Sequence, residues 1–507
     1  MLKYEQDTLF LCCLDFTQEK NDRQHLIYSV IRQFLKFIIN TEVSPFLLHL
    51  GMFVPTLMGQ CTQEQQAYWL PRALDMQIIG TYAQTELGHG TFIRGLETTA
   101  TYDPETEQFV MNSPTLSSYK WWAGGLGKTV NYCIVVAQLY TKGECHGTHP
   151  FIVQIRDEET HMPLPGIKVG DIGPKLGFNT ADNGYLGFEN YRIPREHMMM
   201  KNAQVLKDGT YVKVARHGKA TYGTMVFVRV ILVNEAAFNL AKACTIAVRY
   251  SAIRRQSTPN PEELQVLDYT TQQHKLFICI ATAHALQLNS IWLWKTFSDT
   301  LGAIKKGNTD SLPELHALSS CLKALSTSDA ASLIEQCRHA CGGHGYMMSS
   351  GLPYLYAFVT ATRTYEGDYT VLLLQTAHCR AVMSETYKNE IARLTADSSP
   401  NVKTVMQQLS TLYLHYWALE RIGDLLMVNI ADLQLRYEEL LALIRPNAVG
   451  LVDAFDLRDE LLHSALGSYD GRVYERLMAE AQKSPLNAEP VNQSFHKYMK
   501  PMMKGKL

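Results

Sequence analysis

Hydrophobic and polar positions change their rhythm three times along this chain. Residues 1–78 read as helical, because His25-Leu-Ile-Tyr-Ser-Val-Ile-Arg-Gln-Phe-Leu-Lys-Phe-Ile-Ile39 repeats its apolar groups at helical spacing. A second helix is predicted from Thr62 to Leu74, with Thr62 as N-cap and Gln65 at the capping-box position. Within 79–200 the helical period disappears, and β-branched runs take over. They are Tyr132-Cys-Ile-Val-Val-Ala-Gln-Leu139 and Pro150-Phe-Ile-Val-Gln-Ile155, joined by the turn-rich Thr141–Gly147. Asp103-Pro-Glu-Thr-Glu107 ahead of Phe109 reads as a hairpin turn, and the whole region predicts a compact β domain of barrel or sandwich type.

Residues 201–385 return to helix. Stretches from Thr224 to Gln256, Thr270 to Leu301 and Pro313 to Cys341, with a fourth from Tyr369, predict an up-down bundle. The third ends in Cys341-Gly-Gly-His-Gly345, where glycine supplies a left-handed stop. Residues 386–405, with Ser398-Ser-Pro-Asn401, read as a linker, and 400–507 as a further helical module. The expected class is thus α+β, mainly α: N-terminal helices, a middle β domain, a helical bundle and an extra C-terminal helical module. The crevice between β domain and bundle is the natural place for a large ligand.

Composition narrows the function. At 507 residues the chain exceeds one core, and ~150 residues per domain implies three or four. Lys+Arg 47 against Asp+Glu 49 leaves a net charge of −2, with no reserve for neutralising many phosphates, so a general nucleic-acid binder is disfavoured. With 46% hydrophobic and 19% charged residues, intrinsic disorder is excluded. The 11 cysteines include no CxxC pair, which points to free thiols in a reducing compartment. No zinc-ribbon or HExxH pattern supports a metal site. Membrane spanning is not expected either: the apolar run Val226–Val233 is cut by Arg229 and closed by Asn234-Glu235, short of the ~18 to 20 residues required. Thr8–Leu14 has the look of a signal h-region, yet Asp7 and Asp15 flank it and no small-residue cleavage site follows, so it reads as a core segment.

Two glycine-rich stretches are misleading. Gly124-Gly-Leu-Gly-Lys-Thr129 has Trp122 where a phosphate loop needs glycine, and Gly342-Gly-His-Gly345 follows a helix without the dinucleotide-site spacing. Three other segments carry the chemistry. Gly80–Thr91 is dense in hydroxyl and amide groups, Lys120-Trp-Trp-Ala-Gly-Gly125 sets flat aromatic surface beside bare backbone, and Thr364-Tyr-Glu-Gly-Asp-Tyr369 places a carboxylate beside glycine. Hydroxyl donors, an indole and exposed backbone suit a planar heteroaromatic cofactor, and a carboxylate in an apolar pocket can be tuned as a general base. Each segment alone also has a structural reading: a core anchor for Trp-Trp, a turn for Glu-Gly, capping for Thr-Glu.

Taken together, Ala83-Gln-Thr-Glu-Leu-Gly-His-Gly-Thr91, Gly95–Pro104, Lys120–Gly127 and Gly170-Asp-Ile-Gly-Pro-Lys175 resemble the acyl-CoA oxidases. So do Arg249–Arg254, Ala340–Tyr346, Tyr365-Glu-Gly367 and Leu451–Asp456, in the same order, from about His49 onward. The resemblance implies an acyl-CoA dehydrogenase/oxidase-like fold, FAD as cofactor, a fatty acyl-CoA substrate and molecular oxygen as acceptor. It implies insertion of a trans-2 double bond with release of hydrogen peroxide. By the family pattern Glu366 removes the alpha proton, and Thr85 and Gly124 contact the flavin. Gly124 stands where the related dehydrogenases carry a hydroxyl residue, which leaves room for oxygen. Arg254 and Gly343 match positions at the flavin of a neighbouring subunit, implying a homodimer. The alternative is a catalytically inactive relative that keeps the fold and acts as a binding protein.

Three departures from the family stand out. The N-terminal helical region is shortened, and roughly a hundred residues are missing before the last module, which would uncover apolar surface. The family turn Glu-Gly-Glu-Asn becomes Glu366-Gly-Asp-Tyr369. The C-terminal Gly505-Lys506-Leu507 approximates the Ser-Lys-Leu peroxisomal address, with a cytoplasmic location as the other outcome.

Overall fold

The computed structural model describes residues 46–214, 223–257, 263–305, 308–375, 379–420, 430–491 and 494–503. The helix expected at 25–39 and the C-terminal tripeptide lie outside the described residues. Helices α1 (Val54–Gln60) and α2 (Gln63–Leu74) lead in, and α2 starts on the expected capping box. The Thr62 hydroxyl accepts from the Gln65 amide at 3.3 Å, while Gln65 Oε1 accepts from the Thr62 amide at 3.1 Å. Gln65 Nε2 also donates to the carbonyls of Glu196 and Met198, so the cap doubles as a clamp onto the β domain.

That domain holds strands β1 (Gly80–Ala83), β2 (Thr99–Asp103), β3 (Gln108–Asn112), β4 (Lys120–Trp121), β5 (Tyr132–Thr141) and β6 (Glu144–Gln154). It continues through β7 (Ile167–Asp171), β8 (Gly184–Phe188), β9 (Tyr191–Pro194), β10 (Ala203–Val205) and β11 (Tyr211–Lys213). The main sheet runs β1-β5-β2-β3-β9 with β6 also paired to β5, and β4-β8-β7 forms a second sheet. The predicted hairpin is present as β2–β3 across the 103–108 turn, and the turn-rich connection forms a second hairpin, β5–β6 across Lys142-Gly143. Strand β5 reads as a continuous apolar run because both its faces are covered. Cys133, Val135 and Ala137 enter the β-domain core, whereas Tyr132 and Ile134 pack with Phe53, Leu57 and Trp69 of the leading helices.

The bundle is built on α3 (Gly223–Ile253), α4 (Thr270–Lys305) and α5 (Leu312–Ala340), followed by α6 (Leu352–Thr362), α7 (Tyr369–Gln375) and α8 (Cys379–Leu394). Gly342 supplies the left-handed stop after α5, with φ +58°. The expected fourth helix begins at Tyr369 with α7, and α8 continues the helical course; the shorter α6 precedes it, with a sharp turn between α6 and α7. Helices α3 and α4 are long and apolar enough to cross a membrane by length and composition, yet 78% and 83% of their most apolar windows are buried inside the protein. They form its core.

Residues 386–405 do not form a linker. Helix α8 runs to Leu394 and α9 (Pro400–Glu420) begins at once after 395–399, with Pro400 in the first turn, where its missing N–H costs nothing. Helices α10 (Ile430–Ile444) and α11 (Ala448–Asp453) follow, and Leu409, Leu412, Leu440, Ile444 and Leu451 share one apolar core with α3, α4 and α5. Arg249 of α3 holds this region by donating to Asp453 Oδ1 and to the Gly467 carbonyl. Single-chain surface apolar groups include Leu374, Leu435, Leu486 and Met503, all in the last third. Seven described cysteines carry free thiols, whereas Cys321 is disulfide-bonded, against the expectation of free thiols alone.

Helix α8 is locked to α5 by a two-pronged pair, Arg380 Nη1 and Nη2 to the Asp329 carboxylate at 2.9 and 3.0 Å. Arg380→Met strips a buried carboxylate of its cation and is expected to cost about 3–5 kcal/mol. The denaturation midpoint should fall clearly, and adding Asp329→Asn should recover part of the loss. A single substitution without effect would remove this pair from the fold's supports.

Candidate active site

The turn between α6 and α7 is strained. Glu366 has φ +57°, unusual for a residue with a side chain, and Gly367 follows at φ +113°. A Cβ at Gly367 would stand 2.9 Å from Leu372, so the second position has no room for anything larger. Two buried cations hold this geometry from the bundle side. Arg229 of α3 donates Nε to the Glu366 carbonyl at 3.0 Å and Nη1 to Ser320 Oγ at 2.9 Å, and Lys323 of α5 donates Nζ to the Gly367 carbonyl.

The cations therefore bind the backbone of the turn and not its carboxylate. Glu366 Oε2 is buried without a hydrogen-bond partner among the described residues. Burial pushes the Glu366 carboxyl above the usual range, and Arg229 and Lys323 only partly oppose that shift. The same burial pushes Lys323 down to about 8, with Glu366 opposing it. A carboxylate made more basic, unpartnered and dry is what a general base for a weakly acidic C–H requires.

The β domain supplies the facing wall. Lys120, fully buried, donates to Glu86 Oε1 at 2.9 Å and to the Gln84 carbonyl at 3.1 Å. Glu86 also accepts from the amides of Glu97 and Thr98 and from the Thr98 hydroxyl. These bonds lock the Ala83–Thr91 segment against Lys120–Gly127, and the Thr85 carbonyl accepts from the Trp121 amide at 2.9 Å. The Thr85 hydroxyl has no partner among the described residues. Trp122 sits at φ +79° and is 54% exposed, presenting a bare indole. Gly124 is buried, and a Cβ there would approach Leu48 Cδ1 to 3.2 Å.

The loop between β7 and β8 joins the two walls. Asn183 Nδ2 donates to the Trp122 carbonyl, and Phe178, at φ +60°, stacks on Phe358 at 5.0 Å and meets Tyr365 edge-on at 6.0 Å. Three side-chain-bearing residues with positive φ, Trp122, Phe178 and Glu366, thus lie around one crevice. Tyr82 at the end of β1 is also close enough to Glu366 for the carboxylate to raise its pKa further, beyond the effect of burial.

Of the five residues singled out from sequence, Thr85 and Gly124 lie on the β wall and Glu366 on the bundle wall. Arg254 and Gly343 lie elsewhere. Arg254 follows the far end of α3, donating to Tyr474 Oη and Gln256 Oε1, and Gly343 is exposed with nothing within 4 Å of where a Cβ would stand. The Tyr250–His344 hydrogen bond at 3.0 Å brings these two together. Arg229, Lys323 and Tyr82 were not singled out. Arg229 did leave a trace, as the lone charge inside the apolar run Val226–Val233.

The residues present fit a flat, hydrogen-bonding cofactor: an exposed indole, an unpartnered hydroxyl at Thr85 and side-chain-free backbone at Gly124 border the crevice above an orphaned carboxylate. A mainly helical protein whose central β domain faces a buried base on a bundle turn defines an acyl-CoA dehydrogenase/oxidase-like flavoprotein fold. Family models for the acyl-CoA oxidase C-alpha1 domain, for acyl-CoA oxidase and for the acyl-coenzyme A oxidase N-terminal region match residues 222–381, 367–504 and 15–79. The chain belongs to the acyl-CoA oxidase family. It is 46% identical to acyl-coenzyme A oxidase 1 of Drosophila melanogaster, across 92% of this chain and 84% of the relative. It is 44% identical to peroxisomal acyl-coenzyme A oxidase 1 of Rattus norvegicus, across 93% and 87%. Among solved structures, Arabidopsis thaliana acyl-CoA oxidase 1 superposes with TM-score 0.89 at 35% identity, covering 99% of this chain and 95% of that one. Acyl-CoA oxidase-1 of Caenorhabditis elegans, complexed with FAD and ATP, gives 0.86 at 36% identity, covering 94% and 85%.

The raised pKa of Glu366 has a consequence for stability. Its folded value stands above the ~4.3 of an unfolded glutamate, so folding binds a proton in the window between them, and stability falls as pH rises through it. Glu366→Gln has no such ionisation. Its melting temperature relative to wild type should climb from about pH 4 upward and level off above the folded pKa. A pH-independent difference would show that the carboxyl is not held in this environment.

Proposed function

We propose the following chemistry for this chain. It is an FAD-dependent acyl-CoA oxidase of fatty acid beta-oxidation, converting acyl-CoA and oxygen into trans-2-enoyl-CoA and hydrogen peroxide. When bound, FAD supplies the acceptor for the hydride leaving the beta carbon and passes the electron pair to oxygen. The protein supplies the rest. Thr85 and Gly124 hold the flavin from the β wall, and Glu366 Oε2 takes the alpha proton. Arg229 and Lys323 keep the Glu366 turn rigid, while the Phe178 loop and Trp122 keep water from the base. The single observation that carries this reading is the buried, unpartnered Glu366 carboxylate opposite the flavin-family motifs.

Arg254 needs a second copy to act on a flavin. It stands just past the end of α3, 25 residues beyond Arg229 and about 36 Å away along the helix at 1.5 Å per residue, too far to serve the Glu366 site of its own chain. A homodimer in which Arg254 and Gly343 reach the partner's cofactor accounts for their placement and for the open surface at Gly343. For location, the relatives named peroxisomal and the Gly505-Lys506-Leu507 terminus support peroxisomal import.

Glu366→Gln should keep flavin and acyl-CoA binding but slow anaerobic flavin bleaching by ~10²–10⁴. Asp103→Asn, in the distant β2–β3 hairpin, should bleach near the wild-type rate. Bleaching of Glu366→Gln at full speed would sink this mechanism, and wild type that no acyl-CoA bleaches would favour the non-enzymatic binding protein. Removing Lys506-Leu507 should turn a peroxisomal pool cytosolic; retention in peroxisomes would show import by another route.

A further inference from the structure

The backbone does not demand a glycine at position 124. Nearby Trp122 and Gly125 have φ +79° and +83°, whereas Gly124 lies outside the left-handed region, so a side chain there would carry no backbone strain. What limits the position is space. A Cβ at Gly124 would stand 3.2 Å from Leu48 Cδ1, 3.7 Å from Leu48 Cγ and 3.9 Å from Asn183 Nδ2, the nearest atoms among the described residues. Carbon atoms in ordinary contact keep ~3.5–4.0 Å apart, so the room over this glycine is slightly less than one methyl group.

Both neighbours are held in place. Asn183 is tied by Nδ2 donating to the Trp122 carbonyl at 2.6 Å. The backbone of Leu48 is fixed through the next residue. The buried His49 ring accepts the Gly80 amide on Nδ1 at 2.9 Å, which leaves Nε2 to donate to the Ala73 carbonyl at 2.9 Å. Phe53 packs so closely on Gly80 that a Cβ there would come within 2.3 Å of its ring. The segment carrying Leu48 is therefore bolted to the start of β1, and what remains free to turn is the end of the leucine side chain. Leu48 keeps part of its surface, while Gly124 beneath it is buried.

Resting on the oxidase reading, in which oxygen must reach the reduced flavin beside Gly124, we propose that Leu48 is the gate for that oxygen and so a specificity-determining residue for the electron acceptor. Glycine at 124 omits the side chain that would fill this space, and Leu48 takes up most of what is left. A two-atom molecule needs more room than that, so it enters when the leucine changes rotamer over its fixed backbone. The step it admits is the one already described: oxygen takes two electrons and two protons from the reduced flavin and leaves as hydrogen peroxide. Removal of the alpha proton by Glu366 precedes that step, so Leu48 governs the oxidative half of the cycle.

The test uses the full-length flavoprotein, photoreduced without substrate and mixed with oxygenated buffer in a stopped-flow instrument. Reoxidation should be severalfold faster in Leu48→Ala than in wild type and severalfold slower in Leu48→Phe, while anaerobic bleaching by acyl-CoA changes far less. Equal reoxidation rates in the three proteins, or the reverse order, overturn the gate while bleaching still upholds the oxidase. Where Leu48→Phe does not retain flavin, Leu48→Val takes its place and should fall between wild type and Leu48→Ala. A second readout needs no turnover: the melting temperature of the full chain without flavin. Gly124→Ala should lower it, because the new methyl presses on Leu48, and should lower it clearly less in a Leu48→Ala background. Independent effects of the two substitutions overturn the contact and the gate with it. Wild type that binds no flavin, or whose reduced flavin oxygen does not reoxidise, overturns the oxidase reading and the gate together.

Discussion

Two buried cations grip the carbonyls of Glu366 and Gly367, and the site depends on the fact that they grip carbonyls. Had Arg229 or Lys323 paired with the carboxylate, the attraction at ~4 Å and an effective dielectric of ~20 would be about 4 kcal/mol, or ~3 pKa units. That would turn a candidate base into an inert ion-pair member. By donating to the backbone of the turn, both cations hold a left-handed glutamate and leave Oε2 free. Their charges still act at longer range, moderating the rise that burial causes. A base must be ionised before it can accept a proton, so a carboxyl raised without limit would be useless at neutral pH.

The opposite wall obeys the same logic with different parts. Lys120 is fully buried, and it donates to two acceptors, the Glu86 carboxylate and the Gln84 carbonyl. Glu86 spreads its charge over two backbone amides and a hydroxyl besides. The pair is therefore a staple between two loop segments and contributes no free charge to the crevice. What remains open there is neutral: the Thr85 hydroxyl, the Trp122 indole and the backbone around Gly124. A neutral wall facing a carboxylate lets a flat uncharged ring sit between them without competing for the base.

Much of this was legible in the residues. The capping box at Thr62, the Asp103 hairpin and the three long helices follow from local chemistry, and local chemistry is what a sequence displays. Residues 386–405 misled because Ser-Ser-Pro-Asn reads as a break, yet the same letters open a helix once α8 and α9 have a core to pack on. The fourth helix does begin at Tyr369, but the geometry of the turn before it is held by Arg229 and Lys323, which lie 137 and 43 positions from Glu366. Glu366 itself was found through resemblance, since Glu-Gly is a common turn. Arg229 was visible as a charge in an apolar run, but only the fold reveals what it holds.

Helix α3 measures out the rest. Arg229 near its start touches the reacting turn, and Arg249 near its end fastens the C-terminal helices. A rigid helix fixes this separation, so the distance from the reacting turn to the far end is set by a rise of 1.5 Å per residue. Moving one group relative to another would require breaking a core helix packed against α4 and α5.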